Sequence, residues 1–228
     1  MSEWWTYSLS DFLLFSPRTY YRLFELYNAD IWPGQVAALA LGFAILVLLR
    51  SQGAERGRIV AGILAACWLW VAWGFLYTRY ATINWAASWF ATIFAVQALL
   101  LILVGVIAGK LSFGAGGHRA GLGLVVFALL IQPLIGPLVG RKWTEVELFG
   151  LAPDPTVVAT LGVLVLASPG VGWGARWLLL VVPILWCAIS GATAQSMASS
   201  DALVLPTAAT LALGLAAWTA LSRRPGHP

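Results

Sequence analysis

Residues 25–50 read ELYNADIWPGQVAALALGFAILVLLR, and this stretch decides what kind of chain it belongs to. An acidic, aromatic approach leads to Trp32, a residue favoured at membrane–water interfaces. Pro33 suits the first turn of a helix, where its missing N–H costs nothing. From Val36 to Leu49 there is no charge, and Arg50 closes the run. The pattern predicts a membrane-spanning helix, and the chain repeats it.

Composition agrees. Of 228 residues, 61% are hydrophobic and 10% charged, with a mean hydropathy of +0.86. A soluble domain carries about a quarter charged residues, so this chain cannot cover itself with polar surface in water. Its thirteen tryptophans suit two aromatic belts. The net charge of +4 reflects basic loops rather than a nucleic-acid surface, and no nucleic-acid partner is expected. Met1–Tyr7 has no basic and then apolar leader, so the first span is expected to serve as the insertion signal.

Outward from the opening stretch, residues 1–30 predict an interfacial amphipathic segment. Within it, Ser16 is placed to cap a helix begun by Pro17, and Tyr20, Tyr21, Leu23, Phe24 and Tyr27 mix apolar bodies with polar tips. The bundle occupies 31–221, with spans at 33–49, 59–77, 84–109, 120–139, 155–168, 176–196 and 202–221. A short basic tail, 222–228, follows. The fifth span is short for a crossing of about 20 residues. It is either a full span, with or without 148–152 as a backward extension, or a re-entrant segment.

Charge counting decides between these. With seven crossings and the N-terminus outside, eight of the thirteen lysines and arginines (Arg50, Arg56, Arg58, Lys110, Arg119, Arg176, Arg223, Arg224) share one side. The other five oppose them. A re-entrant fifth segment reverses the margin. The positive-inside rule therefore favours an all-α, polytopic bundle of seven helices, N-out and C-in. A fainter pattern accompanies it: Glu25-Leu-Tyr-Asn and Glu147-Leu-Phe-Gly each stand eight residues before a proline, as a parallel repeat of three spans would produce.

No predicted span interior contains Asp, Glu, Lys or His, and the one Arg, Arg176, stands at the very start of its span. This argues against proton relays, voltage sensing and acid–base chemistry inside the membrane. His118 and His227 lie in a loop and at the C-terminus, so paired haem ligands are not available. A non-enzymatic protein without cofactor or metal is expected. Cys67 and Cys187 share a depth that two soft-metal ligands need, although buried single cysteines usually act as small hydrophobes.

Gln97 and Gln132 are the deepest polar side chains. Beside Pro133, which frees a backbone carbonyl, they either line a cavity for a small solute or join helices by hydrogen bonds. Trp70, Trp73 and Tyr77 fall on one helical face, to cradle a ligand or to meet lipid. The pairs Gly105/Gly109 and Gly136/Gly140 have the spacing of close helix packing, within the chain, in a homo-oligomer or in a larger membrane complex. Glu25 and Glu147 lie near the outer starts of spans one and five, where they meet at a vestibule or stay as solvated acids. Asp154, just before Pro155, is placed to cap span five.

Two segments carry a family resemblance: Phe24-Glu-Leu-Tyr-Asn-Ala-Asp-Ile-Trp-Pro33 and Phe149-Gly-Leu-Ala-Pro-Asp-Pro-Thr-Val-Val-Ala-Thr-Leu-Gly162. They resemble the two signatures of a bacterial family of multi-pass membrane proteins of unknown function, some labelled permeases. The resemblance implies an inner-membrane protein and brings no catalytic residue. The sequence thus leads to a permease-like protein for a small uncharged solute, with a non-transporting scaffold subunit as the alternative.

Overall fold

The structure, a computed structural model, describes residues 15–114, 120–167 and 173–221. Residues 1–14 of the predicted interfacial segment, residues 115–119 with His118, and the predicted basic tail lie outside them. The described chain is helical throughout, without strands. Helix α1 (Pro17–Asp30) is followed by α2 (Gly34–Arg50) and α3 (Arg56–Trp70, continued in π geometry over Val71–Tyr77). Next come α4 (Ala87–Leu100, continued likewise over Leu101–Ile107) and α5 (Ala120–Leu138). The last three are α6 (Pro153–Leu166), α7 (Trp173–Ser196) and α8 (Val204–Leu221). Each of the seven predicted apolar stretches coincides with one helix.

Length grades these helices. Among the described residues, four are long and apolar enough to cross a membrane (α3, α4, α5 and α7), and a fifth if the bent pair α1–α2 counts as one span. Helices α6 and α8 are apolar but shorter. The difference has a physical reason for α6. Twelve of its fourteen residues are buried, and it packs against α3, α5, α7 and α8. A helix walled in by others need not match the hydrocarbon thickness itself. At about 1.5 Å per residue it is about 21 Å long. Residues 148–152 do not extend it; they form a turn in which Gly150 takes φ +77°, and the Thr156 hydroxyl accepts from the Gly150 N–H at 2.8 Å.

Around this centre the other helices turn apolar side chains outward: Val36 and Phe43 on α2, Leu99 and Leu103 on α4, Leu130 and Leu138 on α5, Leu178 and Leu185 on α7. Such a surface suits lipid rather than water. Helices α5 and α6 meet backbone to backbone. A Cβ on Gly121 would stand 2.5 Å from the Gly162 carbonyl oxygen, and one on Gly162 would stand 2.7 Å from that of Gly121. No side chain fits between these backbones. Trp68 crosses from α3 to α6, donating from Nε1 to the Thr160 hydroxyl at 2.9 Å.

Helix α1 starts as its sequence predicts: the Ser16 side chain accepts from the Thr19 N–H at 3.2 Å, and Pro17 follows. It turns 93° from α2. Its aromatic face is buried against protein, however. Phe24 stacks on Phe75 at 4.5 Å, and Tyr20 packs edge-on against Tyr80. The segment is a cap across one end of the bundle as well as an amphipathic helix. Glu25 thus sits within a helix, whereas Glu147 lies in a loop. The two Glu-Leu-aromatic segments have different backbones, and the repeat they hint at ends there.

Candidate functional site

The end of the bundle under α1 holds a polar recess of about 40 Å³, set among α1, α5, α7 and the starts of α6 and α8. Three features of the chain build it. Helix α5 loses regularity there: π geometry over Phe127–Ile131 leads into Gln132-Pro133, and Pro137 follows within the helix. Proline removes an intrahelical bond, so the side chains after it are re-aimed. Gly140, at φ +95°, then reverses the chain. The loop that follows returns across the recess, anchored to α1 by Asn28, whose Nδ2 donates to the carbonyls of Thr144 and Val146 at 3.0 and 2.9 Å.

Arg141 is the keystone. Its Nη1 donates to Glu147 at 3.1 Å and its Nη2 to Asp201 at 2.6 Å. The guanidinium also lies over the Tyr21 ring at 4.5 Å. Tyr21 and Asp201 both hydrogen-bond Ser199, so α1, the 141–147 loop and the α7–α8 turn meet at one side chain. Gly136 makes the space: a Cβ there would stand 2.6 Å from Arg141 Nε. Burial disfavours the Arg141 charge, and the carboxylates of Glu147 and Asp201 outweigh it, holding the guanidinium above its ordinary pKa. Glu147 moves the other way from most paired acids. Burial, with the nearby Asp154 carboxylate, pushes it above the ordinary range against the pull of Arg141.

Asp154 is not the cap of α6. Ala152 takes that position without a side-chain bond, and the Asp154 carboxylate turns to α7. There it accepts from Trp186 Nε1 at 2.8 Å and from the Ser190 hydroxyl at 2.9 Å. Asp30, at the end of α1, pairs with Arg79 at 2.8 Å. The recess retains unpartnered polar atoms: Gln132 Oε1, and Arg141 Nε on its wall. A buried donor or acceptor left open costs roughly 1–3 kcal/mol. A space of this size admits water or a solute of a few heavy atoms.

The other predicted site residues are distributed elsewhere. Gln97 is fully buried and donates from Nε2 to the Leu179 carbonyl at 3.0 Å, joining α4 to α7; its Oε1 has no partner. It does not line the recess with Gln132. Trp70 donates to the Tyr27 hydroxyl at 2.8 Å, while Trp73 and Tyr77 stack and face outward along a groove of about 480 Å³ with Trp89. The predicted single face divides because the π segment, with its wider turn, changes the register between residues 70 and 77. Cys67 and Cys187 are free, buried thiols. Among the described residues no three His, Cys, Asp or Glu side chains are grouped to hold a metal ion.

Gly105 does pack a helix, with its Cβ position 2.3 Å from Ala61 on α3, whereas Gly109 takes φ +58° beside Arg58 and ends α4. Gly136 and Gly140 serve the recess and its turn, not a helix contact. Glu25 and Glu147 lie at the same end of the molecule but do not share a vestibule. Glu25 pairs with Arg22 at 2.6 Å and Lys142 at 3.2 Å, outside the recess. Glu147 enters it with Asp154 and Asp201 instead. Sequence reading passed over Arg141 and Asp201 as ordinary loop charges. The available signal was that Arg141, Glu147, Asp154 and Asp201 all fall in loops assigned to one face.

Fold and site together define an all-helical protein with helices apolar enough to cross a membrane and a charged recess at one end. The chain belongs to a family of unknown function, DUF6064, whose model matches residues 18–226. No curated protein matches it. No solved structure matches it either.

Proposed function

We propose that the chain is a seven-span protein of a bacterial inner membrane, N-out and C-in, with a permease-like role for a small uncharged solute. The recess is its outer site. The observation that carries the reading is the broken course of α5. Irregular backbone at membrane depth is tolerated where it lines a cavity, and here it presents Gln132 to a space with open hydrogen-bonding atoms. In this reading the chain is not an enzyme. Its interior below the recess is packed, so passage requires α5 to move relative to α7 and α8.

Proteoliposomes tested by stopped-flow light scattering with urea and glycerol check this. The expected result is faster urea entry than in empty vesicles, lost in Gln132→Leu. Equal rates with and without protein for both solutes count against transport.

The outward groove at Trp73, Tyr77 and Trp89 favours a second reading, a scaffold subunit that docks on a larger membrane complex. Extraction in mild detergent distinguishes it: a scaffold migrates with a mass well above its own 24.4 kDa and loses that mass in Trp73→Ala.

A further inference from the structure

The recess holds more acid than base. Glu147, Asp154 and Asp201 face one guanidinium, Arg141, the only Lys or Arg among its described lining residues. Glu145, also on the wall and as buried as Glu147, has its own partner in Lys142, which it meets at 4.0 Å and through the backbone N–H at 3.3 Å. With all three carboxylates ionised, the group carries three negative charges against one positive. The side chains of Glu147 and Asp201 are only 14% and 21% exposed, and like charges in a site of low dielectric raise one another's proton affinity. What faces the group from other elements adds no positive charge, while Trp186 and Ser190 on α7 donate to Asp154 and favour its ionised form. Helix α1 contributes the phenols Tyr20 and Tyr21, and α5 contributes Gln132; α7 contributes Ser190 and Thr193. Tyr80 adds a further phenol near Asp154. None of these is a cation.

We propose that the recess is a proton-binding site, in which Glu147 and Asp154 together hold one exchangeable proton whose arrival unfastens the Arg141 clasp. This deepens the reading of the recess as the working site and rests on it, but its test needs no solute to move. The step is a simple protonation: a carboxylate takes a proton from recess water and becomes a carboxylic acid, and the group loses one negative charge. The direction of the Glu147 shift agrees. Mechanically, Arg141 closes the 141–147 loop on itself through Nη1 and Glu147, and ties it to the α7–α8 turn through Nη2 and Asp201. A neutral Glu147 gives up the charge-assisted bond to Nη1, while Asp201 keeps Nη2. The loop keeps its tie to the turn through Asp201 but loses the bond that closes its two ends on each other.

The experiment uses the full chain in nanodiscs. An infrared titration between about pH 5 and pH 9 follows the C=O stretch of protonated carboxyl groups. Hydrogen exchange of residues 142–152 is measured alongside and corrected for the intrinsic pH dependence. The expected band persists well above the ordinary carboxylate range and is diminished in Glu147→Gln and in Asp154→Asn. Loop exchange should rise about tenfold as the band appears, the effect of losing one charge-assisted hydrogen bond. In Glu147→Gln it should be fast at every pH, and Glu147→Asp should restore the dependence. A wild-type chain whose carboxylates all titrate in the ordinary range overturns the proposal, and this result needs no variant to fold. So does a band unchanged in both variants, or loop exchange that ignores the titration. A normal band without urea transport would remove the permease reading and leave the proton site in place.

Discussion

Gly136 shows how much one missing methyl group decides. Its absent Cβ is the space occupied by the Arg141 guanidinium, which two carboxylates hold in place. Gly136→Ala gains about 1 kcal/mol of helix propensity, but overpacking costs about 1–3 kcal/mol. The second effect wins because the guanidinium is fixed at both ends. A net loss of about 1 kcal/mol is expected in detergent unfolding, with faster exchange in the 141–147 loop. An unchanged or raised stability would mean that Arg141 moves aside freely. Gln97 offers the contrasting case, with one good bond to Leu179 and one open acceptor. Gln97→Leu should lower stability by about 1 kcal/mol or less and leave solute movement alone. Loss of transport with normal stability would return Gln97 to the pathway. Glu147 sets the pH dependence at this scale. Its folded-state pKa is raised, so its favourable contribution is complete below the unfolded value and is lost as pH rises through the folded one. Global unfolding, which takes Glu147 out of its buried site, should therefore become easier from mildly acid towards alkaline pH. The local opening of the loop, governed by the bond to Arg141, runs in the opposite sense, and Glu147→Gln should flatten both.

At the scale of elements, the contact between α5 and α6 is the least forgiving. A methyl group on Gly162 meets the Gly121 carbonyl and the Val125 N–H at 2.7 and 2.8 Å, and both are backbone. Gly162→Ala should cost about 3 kcal/mol and lower the folded yield, whereas Gly123→Ala, with open space beside it, should be tolerated. Apolar run length was enough to locate all seven helices in the sequence, because bilayer-length patterning is a strong and local signal. The pairing of Gly121 with Gly162 was not legible, since Gly162 belongs to no spaced glycine motif and each matters only through the other. The π segments were equally hidden. They displace Trp73 from Trp70 without any residue that announces it. Asp154 was misread for a related reason: beside a proline its local chemistry is that of a cap, and only the arrival of Trp186 and Ser190 from α7 gives it another partner.

For the whole molecule, the recess depends on charges that are far apart in sequence and share only a side of the bundle. Glu147 and Asp201 meet because two turns lie at the same end, beneath the cap formed by α1. Opposite them, Arg56 donates to the carbonyls of Ser51 and Phe113, closing the other end with basic groups. This polarity is the basis for the proposed threading, and it can be measured directly. Single cysteines at Gln52 and Thr144, both on exposed loop positions at opposite ends, are labelled with a membrane-impermeant thiol reagent in intact cells and again after permeabilisation. The account predicts that Thr144→Cys reacts from outside and Gln52→Cys only after permeabilisation. Labelling of both from the same side would contradict the seven-span bundle and remove the outer recess with it.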